Sequence, residues 1–408
     1  MTQPARGFVA LQSRPFRWYF LLATAAIMGD NIEHVISYWV VFQKFHSPAL
    51  GAFAVISHWV PHLLFAAYSG VLADRLDLRR LIQVGMLMLL SVSIGWGLVF
   101  RDDSVEVWKV MVLLVVHGSA GVIWLPAAQV MIHQLVDDQA LPSAVRLNAS
   151  SRYVGFLIGP AVGAGLLLAL GPIHGIWANA LIYVPMLLWV AGVPRRVHST
   201  ARAAVSGLAD LLQGAKVVGR EPVLLSMTGL IAIASSFVGN AYQAQMPGFA
   251  TSLGHGRADF LYSLLLAADA AGGLIGAIVM ESRAGRARVR TAFQFALAWS
   301  LLLMGFAMSH TYWLSVSLLF CAGFAELVFN AMSQTLVQLY APPDMRGRVI
   351  GVFTMAGLGM RAFSGLSVGL LGESMGIHWS LGLSAACVFV GIAALWLYRR
   401  AHEGDVRL

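Results

Sequence analysis

Ionisable residues in this 408-residue chain fall where water should not reach, and their spacing groups them. In "MGDNIEHV", Asp30, Glu33 and His34 stand at i, i+3 and i+4, one face of a helix. Far downstream, Glu326, Asn330 and Gln334 recur at steps of four, again on one face. Asn240 and Gln243, flanked by Tyr242 and Gln245, form a third polar group. An acid in low dielectric favours its neutral form and can be loaded and unloaded with a proton near neutral pH. Asp30, Glu33 and Glu326 are therefore the candidate proton carriers. The plainer alternative is a set of fixed, hydrogen-bonded carboxylates that order helices. Asp269 and Arg361 also lie at mid-depth of apolar runs, and two unpaired buried charges are costly. They can pair with each other, or Asp269 can reach Arg152, as a structural ion pair or as one that breaks in a working cycle. His58 and His62, at i and i+4, could extend the first group into a metal path, histidine and carboxylate being suitable ligands. Trp59 and Pro61 between them point instead to packing at a kink.

The elements that must hold these groups follow from composition. The chain is 58% hydrophobic and 11% charged, with a mean hydropathy of +0.74. Apolar runs of about 20 residues recur from Trp18 to Tyr398, each able to cross a hydrocarbon core as a helix. Lipid offers no partner to backbone amides, so these runs must be helices; a barrel is excluded, since they do not alternate with a period of two. About twelve spans are expected: 18–42, 50–73, 81–100, 107–134, 144–170, 173–194, 223–250, 259–280, 291–309, 312–340, 349–372 and 379–398. The first is too long for a cleavable signal and carries Asp30 and Glu33, so the chain is expected to stay anchored. The fold class is an all-α membrane protein.

Charge orients the spans. Lys44, Arg101, Lys109 and Arg257 fall on one side and Arg361 inside a span; every other Lys and Arg falls on the opposite side, with both termini. That bias places both termini in the cytoplasm. It also accounts for the net charge of +8, and no basic stretch is interleaved with aromatics in a soluble segment, so nucleic acid is excluded as a partner. Cys321 and Cys387 sit in apolar runs as packing residues. No GxxxxGK[ST] phosphate loop occurs, and no soluble stretch reaches the size of an enzyme. No enzyme activity, cofactor or resident metal is expected. The longest soluble stretch, 195–222, has apolar residues at helical spacing and could lie on the membrane surface as a linker. It divides an N-terminal bundle, 1–194, from a C-terminal one, 223–408. The two repeat: "GSAGVIWLPAAQ" (118–129) aligns with "GFAELVFNAMSQ" (323–334), and Glu281 and Arg286 fall at the places of Asp74 and Arg79. Duplicated helical halves with a site between them are a transporter architecture.

"GVLADRLDLRR" (70–80) carries a resemblance. Gly70, Asp74, Arg75, Arg79 and Arg80 resemble the signature loop between helices two and three of the major facilitator superfamily, with Asp77 where a second glycine is usual. "PAAQVMIHQLV" (126–136), "RLNASSRYVGFLIGPAVGAGLL" (146–167) and "RGRVIGVFTMAGLG" (346–359) are similar to the enterobactin-exporter and macrolide-efflux branch of proton-driven exporters. The resemblance implies two pseudo-symmetric six-helix bundles and a cavity lined by spans one, four, seven and ten. His34, Trp124, Gln129, Asn240, Gln243, Asn330 and Gln334 are then the cavity candidates. Trp39, Phe237, Phe329, Met246 and Met332 beside them suit a bulky amphipathic organic molecule. Asp74 is expected to latch onto the start of span eleven near Arg348 when the inside is closed. Gly155, Gly159, Pro160 and Gly163 match the helix-five signature of antiporters, the glycines thinning one helix face and Pro160 kinking it. One departure stands out: His117-Gly118 replaces the usual Gln-Gly pair of helix four, and Leu114 stands at the usual arginine position. Proton coupling here must use other groups.

The expected function is proton-coupled export, by alternating access, of a small amphipathic molecule such as a siderophore or a drug. The protein would work as a monomer in the bacterial inner membrane, with substrate, protons and lipid as its partners. An importer or facilitator of a metabolite or metal ion, and a receptor or scaffold that does not transport, are the alternatives.

Overall fold

The structure is a computed structural model that describes residues 8–102, 104–137, 139–194, 207–254, 258–283, 287–343 and 345–403. For some helical stretches, 66–75 and Arg152 among them, the backbone alone is described. No strand occurs among the described residues. In chain order the helices are α1 (Arg14–Phe45), α2 (Pro48–Arg75), α3 (Leu78–Arg101), α4 (Val107–Leu135), α5 (Leu141–Ala191), α6 (Gly207–Arg220), α7 (Pro222–Phe237) and α8 (Ala241–Leu253). They continue as α9 (Ala258–Arg283), α10 (Val289–Met308), α11 (Tyr312–Tyr340), α12 (Arg346–Thr354), α13 (Arg361–Ser364), α14 (Leu371–Met375) and α15 (Ile377–Glu403). Nine helical stretches among the described residues are long and apolar enough to cross a membrane, or ten if the bent pair α6–α7 is one span.

Several helices depart from the uniform rods the hydropathy suggests. α5 covers 51 residues but is two helices that meet at a kink, since a straight helix of that length would be more than twice a hydrocarbon core. It breaks at Gly171, whose φ of 72° and ψ of 173° only glycine takes easily, and Pro172 restarts it. Spans five and six are thus two helices on either side of Gly171, while Pro160 keeps helical backbone angles. Span seven is divided into α7 and α8 around Gly239, at φ 47°. A Cβ there would come within 2.8 Å of the Ser235 carbonyl oxygen, so the break requires glycine. Span eleven is divided too: π-helical turns at Met355–Gly359 and Gly365–Leu370 flank α13, which carries Arg361.

The chain forms two compact units. The first contains residues 1–37 and 65–204, the second 38–64 and 205–408. In the first, Phe16, Tyr19, Met86, Trp124, Met131, Tyr183 and Met186 build a continuous buried core. α5 approaches α1 through its glycines: a Cβ on Gly159 would lie 2.6 Å from the Asn31 Cβ, and one on Gly155 2.6 Å from the Ile27 Cγ2. Gly163 meets Val35 and Ile32 in the same way. In the second unit, the hairpin tip at 38–64 packs on the segment that follows α13. A Cβ on Gly369 would fall 2.3 Å from the Ala52 Cβ, the Ala49 amide donates to Glu373 Oε2 at 3.0 Å, and Gln245 Nε2 donates to the Pro48 carbonyl at 3.0 Å.

The linker helix is not free on a surface. α6 lies against α12, with Asp210 Oδ1 2.6 Å from Arg348 Nε and Gly214 close enough that a Cβ would sit 2.7 Å from the Arg348 carbonyl oxygen. Arg348, near the helix start expected to face Asp74, is thereby paired with Asp210. The side chains of Gly70, Asp74 and Arg75 lie outside the described residues. Asp77 caps α3, accepting from the Arg79 amide at 3.1 Å, and pairs with the Arg79 guanidinium at 2.8 Å. Arg79 also donates to the Val193 carbonyl at 2.9 Å, while Arg80 is exposed. This part of the loop is a helix start with a counter-ion, which explains an aspartate where a glycine is usual.

Candidate proton and substrate site

The first polar cluster lies in the first unit. Asp30 and Glu33, one turn apart on α1, both converge on His117 of α4. His117 Nε2 is 3.0 Å from Asp30 Oδ1, and His117 Nδ1 is 2.6 Å from Glu33 Oε1. Glu33 is buried, and its other oxygen accepts from the Ser93 hydroxyl of α3. Asn179 Nδ2 in turn donates to Ser93 Oγ at 3.3 Å. His34, one turn beyond Asp30, sets its ring edge-on to His117 with centroids 4.8 Å apart. Gly29 lets α1 seat against Tyr183 and Asn179, which keeps this face of α1 inward. The sequence placed Asp30, Glu33 and His34 together and missed His117, Ser93 and Asn179. The one signal for His117 was its position beside Gly118, where another residue is usual.

The second cluster lies in the second unit, and close helix packing creates it. A Cβ on Gly323 of α11 would fall 2.0 Å from the Asp269 carbonyl oxygen, and one on Gly272 of α9 1.8 Å from that of Phe320. With no side chain in the way, α9 and α11 touch backbone to backbone, which brings Asp269 beside Glu326. Tyr242 of α8 lies between them. Its hydroxyl is 2.9 Å from Asp269 Oδ2 and 3.2 Å from Glu326 Oε2. Gln243 Nε2 donates to the same Asp269 oxygen at 3.3 Å. A phenol has one proton and can donate to only one of two carboxylates. The second contact becomes a hydrogen bond when that carboxyl carries a proton and donates to the phenol oxygen. Two acids thus meet at one hydroxyl.

This geometry corrects the expected charge pair. Asp269 takes its hydrogen bonds from Tyr242 and Gln243. Arg361 lies over the Trp59 ring, 5.1 Å from its centroid, and within electrostatic reach of Glu326. The side chain of Arg152, the other partner considered, lies outside the described residues. Trp59 Nε1 donates to Asn240 Oδ1 at 3.0 Å, so one indole holds both the cation and the amide at the α7–α8 break. Asn330 Nδ2 bonds back to the Glu326 carbonyl at 2.9 Å, and Gln334 is half-buried one turn on.

Not every cavity candidate is placed as expected. Trp124 is a core residue, 3% exposed and packed on Gly85. Phe329 is buried against Trp299, and Met246 is fully buried. Trp39 stacks on Tyr262 with centroids 5.3 Å apart. Gln129 is exposed and shares a small recess with Tyr19 and Asn148. His58 and His62 stack on each other, and His62 Nδ1 lies 3.1 Å from the His58 carbonyl oxygen, as packing at a proline-containing helix predicts.

A chain of apolar helices, several of them broken, with acids buried between them, has the fold of solved major facilitator transporters. A bacterial homologue of the human lysosomal transporter Spinster matches with a TM-score of 0.72 over 99% of both chains, at 13% identity. The nucleoside transporter NupG matches with a TM-score of 0.69 over 94% of this chain and 98% of its own, at 14% identity. The family model described as transmembrane secretion effector matches residues 5–405, and the chain belongs to that family of the major facilitator superfamily. Among its relatives, the multidrug efflux pump Tap of Mycolicibacterium fortuitum is 25% identical over 98% of both chains. Macrolide efflux protein A of Streptococcus pyogenes is 21% identical over 90% of this chain and 92% of its own. The protein is therefore a multi-pass membrane transporter and not an enzyme.

Proposed function

We propose that this transporter exports a drug-like amphipathic molecule in exchange for protons, and that the Asp269–Tyr242–Glu326 group carries the proton. The observation that supports it most is the single hydroxyl between two buried carboxylates. One proton on a carboxyl lets the phenol bond to both acids, and its loss removes one of those hydrogen bonds, so loading and unloading change the packing of α8, α9 and α11. Asp30 and Glu33, held on His117, tie α1 to α4 and stand outside this reading. The efflux activities named for the two relatives favour a drug over a siderophore. Two bundles, 1–194 and 223–408, would alternate around the linker 195–222, with both termini in the cytoplasm as the charge bias requires.

Everted membrane vesicles test this directly, with a radiolabelled macrolide and ethidium as probes. An imposed gradient, acid inside, should drive accumulation that nigericin abolishes. Glu326→Gln and Asp269→Asn should each lower it at least about tenfold, the effect of losing a charge-assisted hydrogen bond. Equal accumulation by both variants and the wild type would overturn the assignment.

A further inference from the structure

We propose that Asp30, His34 and His117 form a binding site for one divalent transition-metal ion inside the first unit, with Glu33 as its outer support. The donor set is two imidazoles and one carboxylate, which suits Zn²⁺ and its first-row neighbours. Candidate ligand atoms of the three residues lie within 4.8 Å of one another. The best defined edge, His117 Nε2 to Asp30 Oδ1, is 3.0 Å. Ligand atoms at metal distances of about 2.0–2.2 Å stand about 3.3–3.6 Å apart around a tetrahedral ion, so this edge has to open by only a few tenths of an ångström.

The surroundings match what metal sites need beyond their ligands. A ligating imidazole is normally fixed by donating its other nitrogen to a carboxylate. Here His117 Nδ1 meets Glu33 Oε1 at 2.6 Å, leaving Nε2 to face Asp30. Glu33 is itself held by Ser93, and Ser93 by Asn179, so the support runs through α3 and α5. Charge agrees as well. Asp30 and Glu33 together carry two negative charges, which one divalent ion balances with both imidazoles neutral. His34 and Asp30 share a face of α1 at i and i+4, while His117 approaches from α4, so the ion would clasp two helices.

The full-length protein in nanodiscs, with any affinity tag removed, tests the site by Zn²⁺ titration calorimetry. One ion per chain should bind. His34→Ala and His117→Ala should weaken it by at least about 100-fold, Glu33→Gln by about 10–100-fold with the same stoichiometry. His133→Ala, at an exposed position of α4, should change nothing. X-ray absorption at the zinc edge of the wild type needs no variant to fold, and should show only nitrogen and oxygen neighbours, with imidazole scattering from two histidines. Absence of stoichiometric binding, binding unaltered by both histidine variants, or a shell without imidazole would overturn the site. This is an equilibrium measurement without transport, so its failure leaves the export reading standing, and failure of proton-driven export leaves Zn²⁺ binding to be judged alone.

Discussion

Tyr242 shows what one side chain decides in this molecule. Its hydroxyl bridges Asp269 and Glu326, and Tyr242→Phe removes it without changing the volume of the ring. Export should fall about tenfold or more while the protein stays folded, because two buried acids lose their common partner; an unchanged initial rate of efflux would show the bridge to be idle. Asp77 makes the opposite kind of case. As the cap of α3 it should cost about 0.5–2 kcal/mol when changed to Ala but only a few tenths when changed to Gly, measured as the midpoint of thermal unfolding in detergent. The acids at 30, 33 and 326 were legible because charge amid apolar residues is conspicuous. His117 was not: a single histidine in an oily run carries no periodicity, and only the fold brings it to Asp30 and Glu33. Charge complementarity pointed from Asp269 to Arg361 or Arg152 and could not reveal that Tyr242 and Gln243 hydrogen-bond to it, because that depends on how α8 meets α9.

At the scale of elements, glycines decide which helices meet. Gly323→Ala should push α11 from α9, since its Cβ would fall 2.0 Å from the Asp269 carbonyl oxygen. A loss of about 1–3 kcal/mol from overpacking is expected, together with loss of export, because Asp269 and Glu326 separate. Gly351→Ala, where nothing lies within 4 Å, should leave both unaltered. Parallel unfolding and efflux measurements on the two variants check this, and equal behaviour would contradict it. The helix-five glycines were readable from spacing, and they do pack on α1. The breaks at Gly239 and Gly171 and the π-helical turns around Arg361 were less so. A glycine inside an apolar run reads the same whether it thins a face or ends a helix, and hydropathy is blind to the difference. Docking of α6 on α12 was also hidden, since an amphipathic stretch fits a membrane surface and a protein groove equally well.

Over the whole molecule, the all-helical membrane fold followed from composition because lipid admits few backbone solutions. Orientation rests on the basic residues. In a background free of Cys321 and Cys387, Ser104→Cys should react with a membrane-impermeant maleimide on intact cells. Lys216→Cys on α6 should react only after permeabilisation, and the reverse pattern would invert the topology. The central claim is that substrate and proton move against each other through the second-unit acids. Proteoliposomes with a pH-sensitive dye inside measure this most directly. Adding a transported macrolide outside should change internal pH in the wild type, with no change in vesicles carrying Glu326→Gln or Asp269→Asn. A wild type that carries the drug without moving protons, or variants that move them as fast as the wild type, would contradict it.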